Sequence, residues 1–143
     1  MSLTRKKAID EILGLFKTAW DITGHGLRVK YANVGKKSVP PSGQDPWARV
    51  SLKHTNSAQA SLSGAAGTRR FRRNGFVTVQ IFEPPGKGLS GTIDLPKIVQ
   101  DAYEGVETTS GVWFKDVTLS EVGPDGDFFQ TNVVAFFEYD EIK

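Results

Sequence analysis

Ile9, Ile12, Leu13, Phe16 and Trp20 fall three, four, seven and eleven positions from the first of them. That spacing keeps all five on one stripe of a 3.6-residue repeat, so it predicts an amphipathic helix. Thr4 or Ser2 can cap its start. Thr23-Gly24-His25-Gly26 ends it, with glycine supplying the backbone freedom of a C-terminal cap. The aromatic members of the stripe read as core. A second stripe, Leu95, Ile98, Val99 and Ala102, predicts another helix. Asp94 is its expected N-cap, Pro96 is tolerated in its first turn, and Gly105 ends it.

Elsewhere the repeat is two. Residues 27–33 form a short alternating run. In 47-WARVSLKH-54, Ala48, Val50, Leu52 and His54 alternate with Trp47, Arg49, Ser51 and Lys53, as in a half-buried strand. Val77, Val79 and Ile81 mark one face of a third strand over 76–82, with Gly75 as a candidate bulge. Residues 112–122 and 128–141 read as two more strands around the turn 123-GPDGD-127. The stretch 34-VGKKSVPPSGQDP-46 reads as an exposed loop. The stretch 55-TNSAQASLSGAAG-67 has no usable period and reads as a long loop. Helix, strands, helix, strands predicts an α+β fold: one domain over 1–143, a mostly antiparallel sheet, two helices on one face and a long basic β-hairpin. The segment 55–74 is expected to be mobile, with 67–74 projecting beyond the sheet.

Composition narrows the class. A chain of 143 residues can bury roughly two-thirds of its unfolded surface, enough for a real core. It has no cysteine, hence no disulfide and no thiolate metal site. MSLTRKKAIDEIL lacks the apolar run of a signal peptide, and no stretch reaches membrane-spanning length. A soluble intracellular protein is expected. The net charge of +2 hides a split. Residues 1–73 carry fourteen Lys and Arg against four Asp and Glu, a balance of +10. Residues 74–143 carry four against twelve, a balance of −8. Folding can intermix the two halves, or leave basic and acidic faces that attract one another head-to-tail.

No catalytic constellation assembles from these residues. His25 sits in the glycine-rich helix exit and His54 at a strand end, and nothing marks either as a metal ligand or general base. There is no G-x-S-x-G elbow. Gly86-Lys87-Gly88 lacks the G-K-[ST] ending of a phosphate loop. The acidic residues Asp125, Asp127, Asp140 and Glu141 match no calcium loop. No catalytic residue, metal or cofactor is expected. The unusual feature is Arg69, Arg70, Arg72 and Arg73 in 67-GTRRFRRNGFVTVQIF-82. Arginine suits phosphate or carboxylate through its bidentate fork. With Phe71 the single ring among them, the segment lacks the aromatic interleaving of a single-strand binder. The four arginines are expected to form an assembly or channel-facing basic surface. Asp125, Asp127, Asp140 and Glu141 are expected to form the acidic surface complementary to it, on the next subunit. Because the arginines precede the apolar half of the strand, replacing them is expected to leave folding nearly intact.

Several stretches together resemble the tail-terminator (tail completion) proteins of long-tailed bacteriophages, similar to the lambda type. They are 47-WARVSLKH-54, 69-RRFRRNGFVTVQIFEPPGKG-88, 97-KIVQDAYEG-105, 112-VWFKDVTLSEVGPDGDFFQTNV-133 and 137-FEYDE-141. With the first helix they span nearly the whole chain. The resemblance implies a non-enzymatic protein that forms a homo-oligomeric ring, typically of six subunits, at the head-proximal end of the tail tube. Such a ring stops tube polymerisation and offers a surface to the head-neck connector. Its partners would be itself, the tail tube protein and that connector, with non-specific contact to DNA in the channel and none to a membrane. Its place would be the virion tail, and the host cytoplasm during assembly. Two other readings stand beside it: a non-specific nucleic-acid-binding protein using the arginine hairpin, and, less supported, a phosphate-handling enzyme.

Overall fold

The computed structural model describes residues 3–23, 28–31, 46–61, 64–86, 88–125 and 128–143. The expected helix exit at 24–26 with His25, residues 34–45 of the expected loop, Lys87 and Asp127 lie outside them.

Helix α1, Arg5–Thr23, starts where the pattern placed it. Thr4 caps it: its Oγ1 accepts the Lys7 amide at 3.2 Å, and its carbonyl accepts the Ala8 amide at 2.9 Å. Ile12, Phe16 and Trp20 are fully buried, joined by Ala8 and Leu3, while Ile9 and Leu13 flank the seam. A single turn, α2, Gly88–Gly91, precedes α3, Asp94–Tyr103. Asp94 is not the cap expected of it. Ile93 holds that position in a helical conformation with no side-chain bond, and Asp94 lies in the first turn, where its charge suits the helix dipole. The other end follows expectation. The Glu104 amide donates to the Gln100 carbonyl at 2.8 Å, and Gly105 follows at φ +71°.

The strands are β1 Arg28–Tyr31, β2 Trp47–Gln59, β3 Arg70–Glu83, β4 Trp113–Asp125 and β5 Phe128–Ile142. They form one sheet in the order β1-β2-β3-β5-β4. Only the β1–β2 pair is parallel, so the sheet is mostly antiparallel and the domain is α+β. Alternation decides the faces. Ala48 and Val50, Val77, Val79 and Ile81, and Val133, Ala135 and Phe137 turn towards the helices and are buried. Arg49, Thr78, Gln80, Asn132 and Phe136 occupy the opposite face, which no described helix covers. Helix α1 lies against the β1–β2 side, with Phe16 and Tyr31 in edge contact at 6.2 Å. Helix α3 lies against β5 and β4, where Tyr103 meets Phe114 at 4.8 Å. The Tyr103 hydroxyl donates to the Ile12 carbonyl at 2.9 Å and ties the two helices together.

Three expectations change. Residues 55–59, read as loop, continue β2, pairing Asn56–Gln59 with Phe71–Asn74. Residues 70–74, read as projecting from the sheet, sit inside it, with β2 on one side and β5 on the other. Backbone ladders need no apolar side chain, so a polar strand held between two neighbours leaves no hydrophobic period to read. The connection is therefore only 60–69, not the whole of 55–74. Third, the irregularity near Gly75 lies on β2, where Thr55 is the extra residue between His54 and Asn56. Gly75 serves close approach instead. A Cβ there would stand 2.3 Å from the Lys53 carbonyl oxygen and 2.6 Å from Phe137 Cζ. Likewise β4 runs on through Pro124 and Asp125, so the turn before β5 is shorter than 123–127.

Candidate assembly surface

The arginine stretch meets its acidic partners within the chain. Antiparallel pairing of β3 with β5 sets Arg72 opposite Asp140 and Phe71 opposite Glu141. On the uncovered face, Arg72 donates through Nε to Asp140 Oδ1 at 3.1 Å and through Nη2 to Oδ2 at 3.4 Å. Glu138 Oε1 lies 3.3 Å from the same Nε, and Lys115 of β4 pairs with Glu138 from the far side. Arg70 reaches Asp140 at 3.5 Å. A ladder of alternating charge thus crosses β4, β5 and β3.

On the helix-side face Arg73 donates to Glu141 Oε1 from Nε at 3.2 Å and Nη2 at 3.1 Å. These two side chains are only 13% and 16% exposed. Phe71 lies between Arg73 and Lys143, whose cationic groups stand 5.4 Å and 5.6 Å from its ring centre. Arg69 donates to the Gly64 carbonyl at 3.0 Å.

So of the eight residues expected to form complementary surfaces on neighbouring subunits, Arg70, Arg72 and Arg73 and Asp140 and Glu141 satisfy one another in one subunit. The physical reason is register: the basic start of β3 runs alongside the acidic end of β5. Asp125 lies in β4, away from this ladder in strand position, and Asp127 lies outside the described residues. Glu138 and Lys115, which the sequence reading left out, are part of the ladder. The alternation of Glu138 with Asp140 along β5 was their available sign.

His54 closes the same end of the sheet. Its Nε2 shares a hydrogen bond of 2.7 Å with the Tyr139 hydroxyl, and its ring meets Phe137 and Tyr139 edge-on. Burial, followed by the charges of Arg5 and Arg73, holds the imidazole below its ordinary value of 6.5. Burial pushes the Tyr139 phenol up. A neutral imidazole against a neutral phenol is a structural tie.

A groove of about 720 Å³ runs between α1 and α3, lined by Glu11, Gly14, Thr18, Ala102 and Thr108 among others. Burial raises the Glu11 carboxyl, but hydrogen bonds with Ser110 and Thr108 and the charge of Lys7 outweigh it and hold it below its usual value. No cluster of three metal-ligating side chains occurs among the described residues.

Away from the charges, the uncovered face carries aromatic residues in contact with solvent. Phe76 and Phe136 face each other across β3 and β5 at 5.8 Å. Phe136 and Trp113 are each 41% exposed. No helix among the described residues is long and apolar enough to cross a membrane.

No family model and no curated protein matches the chain. Fifteen chains of solved structures do match. One of them superposes with a TM-score of 0.52 at 14% identity, covering 89% of this chain and 94% of its own. At that identity the likeness is one of fold.

Proposed function

We propose that this chain is a non-enzymatic structural subunit of a bacteriophage tail, forming a ring at the head-proximal end of the tube. There it ends tube polymerisation and offers the head-joining surface. The reading rests on the resemblance of the stretches quoted above, which fall on β2, β3, α3, β4 and β5 of one sheet-and-helix body. The observation that carries it furthest is the uncovered sheet face with its exposed Phe136 and Trp113. Exposed aromatic surface rimmed by charge marks a face that meets a partner. Its partners would be further copies, the tail tube protein and the head-neck connector, and its place the virion tail.

The nucleic-acid reading loses its main support. Three of the four arginines are already neutralised by carboxylates of β5. What remains of it is contact with DNA passing the ring.

Deleting the gene from the phage or prophage that encodes it tests the proposal. Electron microscopy should show separate filled heads and tails of abnormal length, restored by supplying the chain in trans. Normal virions from the deletion overturn it. Virions with normal tails but faulty DNA ejection point to the nucleic-acid role instead.

A further inference from the structure

The charge split of the sequence survives folding in a particular form. The central strands β3 and β5 neutralise each other: three arginines stand against four carboxylates, most of them paired as described. The flanks do not. The side built from α1, β1 and β2 carries eight basic residues by element position against Asp10, Glu11 and Asp21, a balance of +5. The side built from α3, the segment 104–112 and β4 carries seven acidic residues against Lys97 and Lys115, a balance of −5. Sheet order puts β1 and β2 at one margin and β4 at the other. Helix α1 lies over the first and α3 over the second. The two charges are equal, opposite and on opposite sides of one molecule.

We infer that the acidic β4–α3 flank of one copy docks side by side against the basic α1–β2 flank of the next. This rests on the ring proposed above and names the surfaces that build it. The occupant is a second copy because the match is internal: each flank carries the charge that the other lacks. A contact between two different patches of the same chain is heterologous, so it propagates into a ring or a filament rather than stopping at a dimer. Among the described residues both margins also end in strand edges with no further strand beside them. Strand β1 covers only Trp47–Val50, leaving Ser51–Gln59 without a neighbour on that side among the described residues. Beyond β4 the described residues offer only the single bridge from Trp113 to Glu107. The acidic margin adds apolar surface, since Val122 is 53% exposed and Trp113 41%.

Two double variants test the inference without touching the core. D116K/E121K brings the acidic flank from −5 to −1, and K6E/K53E brings the basic flank from +5 to +1; all four positions are exposed. Sedimentation velocity is run on each protein alone, and on their equimolar mixture, at the highest attainable concentration in low salt. Wild type should associate into closed rings or short filaments, and dissociate as salt screens the flanks. Each variant alone should associate more weakly by roughly tenfold to a hundredfold, because one of the two facing flanks has then lost most of its charge. The mixture should associate more strongly than either variant alone, since the unaltered basic flank of one then meets the unaltered acidic flank of the other. Circular dichroism and urea denaturation identify a variant that has lost its fold, and D116N/E121Q and K6Q/K53Q then replace it, with weakened association expected. Wild type that stays monomeric, variants that associate as wild type does, or a mixture of folded charge-reversed variants that stays apart each overturn the inference. Normal virions from the gene deletion would sink the phage reading while leaving this interface standing, so the two failures are separable.

Discussion

At Gly75 the sheet depends on a missing atom. Its strand conformation needs no positive φ, but Phe137 and the β2 backbone occupy the space a side chain would take. The Lys53 carbonyl cannot swing away as a flexible side chain would, because it belongs to the β2 backbone. Gly75→Ala should therefore cost about 1–3 kcal/mol through overpacking, read as a lower urea midpoint at unchanged slope. His54 offers a second measurement at this scale. Its imidazole is held below 6.5 by burial and then by Arg5 and Arg73. A depressed value in the fold means that the unfolded chain takes up the proton more readily. The contribution of His54 is thus fully present above about pH 6.5 and is lost as pH falls through the folded value. His54→Gln should flatten the fall in stability between about pH 7 and pH 5, and an unchanged slope there removes the argument. The sequence marked His54 as a strand end. It could not mark the Tyr139 hydroxyl 2.7 Å away, because a pair separated by 85 positions has no local spacing.

Elements differ in how far they could be read. Helices α1 and α3 announce themselves because each buries one stripe of apolar side chains. Even so, Tyr103 was missed as core although it continues the Leu95–Val99 spacing by one more turn. Its hydroxyl donates to the Ile12 carbonyl in a buried setting. Tyr103→Phe should cost about 1 kcal/mol in chemical denaturation, and no measurable change would show that bond to be dispensable. The far half of β2 and the start of β3 left no hydrophobic trace, because charge and backbone pairing hold them. Register also changes what the arginines are expected to do. Replacing Arg69, Arg70, Arg72 and Arg73 with Ser leaves Asp140 and Glu141 without their cations in one crowded strand end. The exposed Arg72–Asp140 pair alone contributes little, because solvent screens it. Loss of Arg73 from its mostly buried pair with Glu141 costs more. The quadruple variant should lose about 2–4 kcal/mol, where the sequence alone suggested near neutrality. A midpoint equal to wild type would return the arginines to a purely external role.

Over the whole molecule, cohesion changes character from one end of the sheet to the other. Around Val50, Val79 and Val133 the sheet is covered by α1 and α3 and held by apolar burial. Towards Arg70 and Ile142 it is held by the charge ladder, by Arg73 with Glu141, and by the amide of Lys143 donating to the Arg69 carbonyl at 2.9 Å. Salt acts differently on the two. At about 1 M the screening length falls to about 3 Å, which weakens exposed pairs, whereas apolar burial is not weakened by screening. Amide hydrogen exchange at low and high salt should therefore separate the ends. Protection of residues 70–74 and 139–142 should fall at high salt, while that of 77–82 and 131–136 holds. The Arg73–Glu141 pair, with both side chains under a fifth exposed, should resist longest within the ionic end. A truncation of residues 140–143 should reproduce the same pattern at low salt, because it removes Asp140, Glu141 and the last rungs of β5 together while keeping the buried Tyr139. If salt and truncation instead lower protection evenly along β3, the sheet opens as one unit and the charge ladder does not hold that end separately.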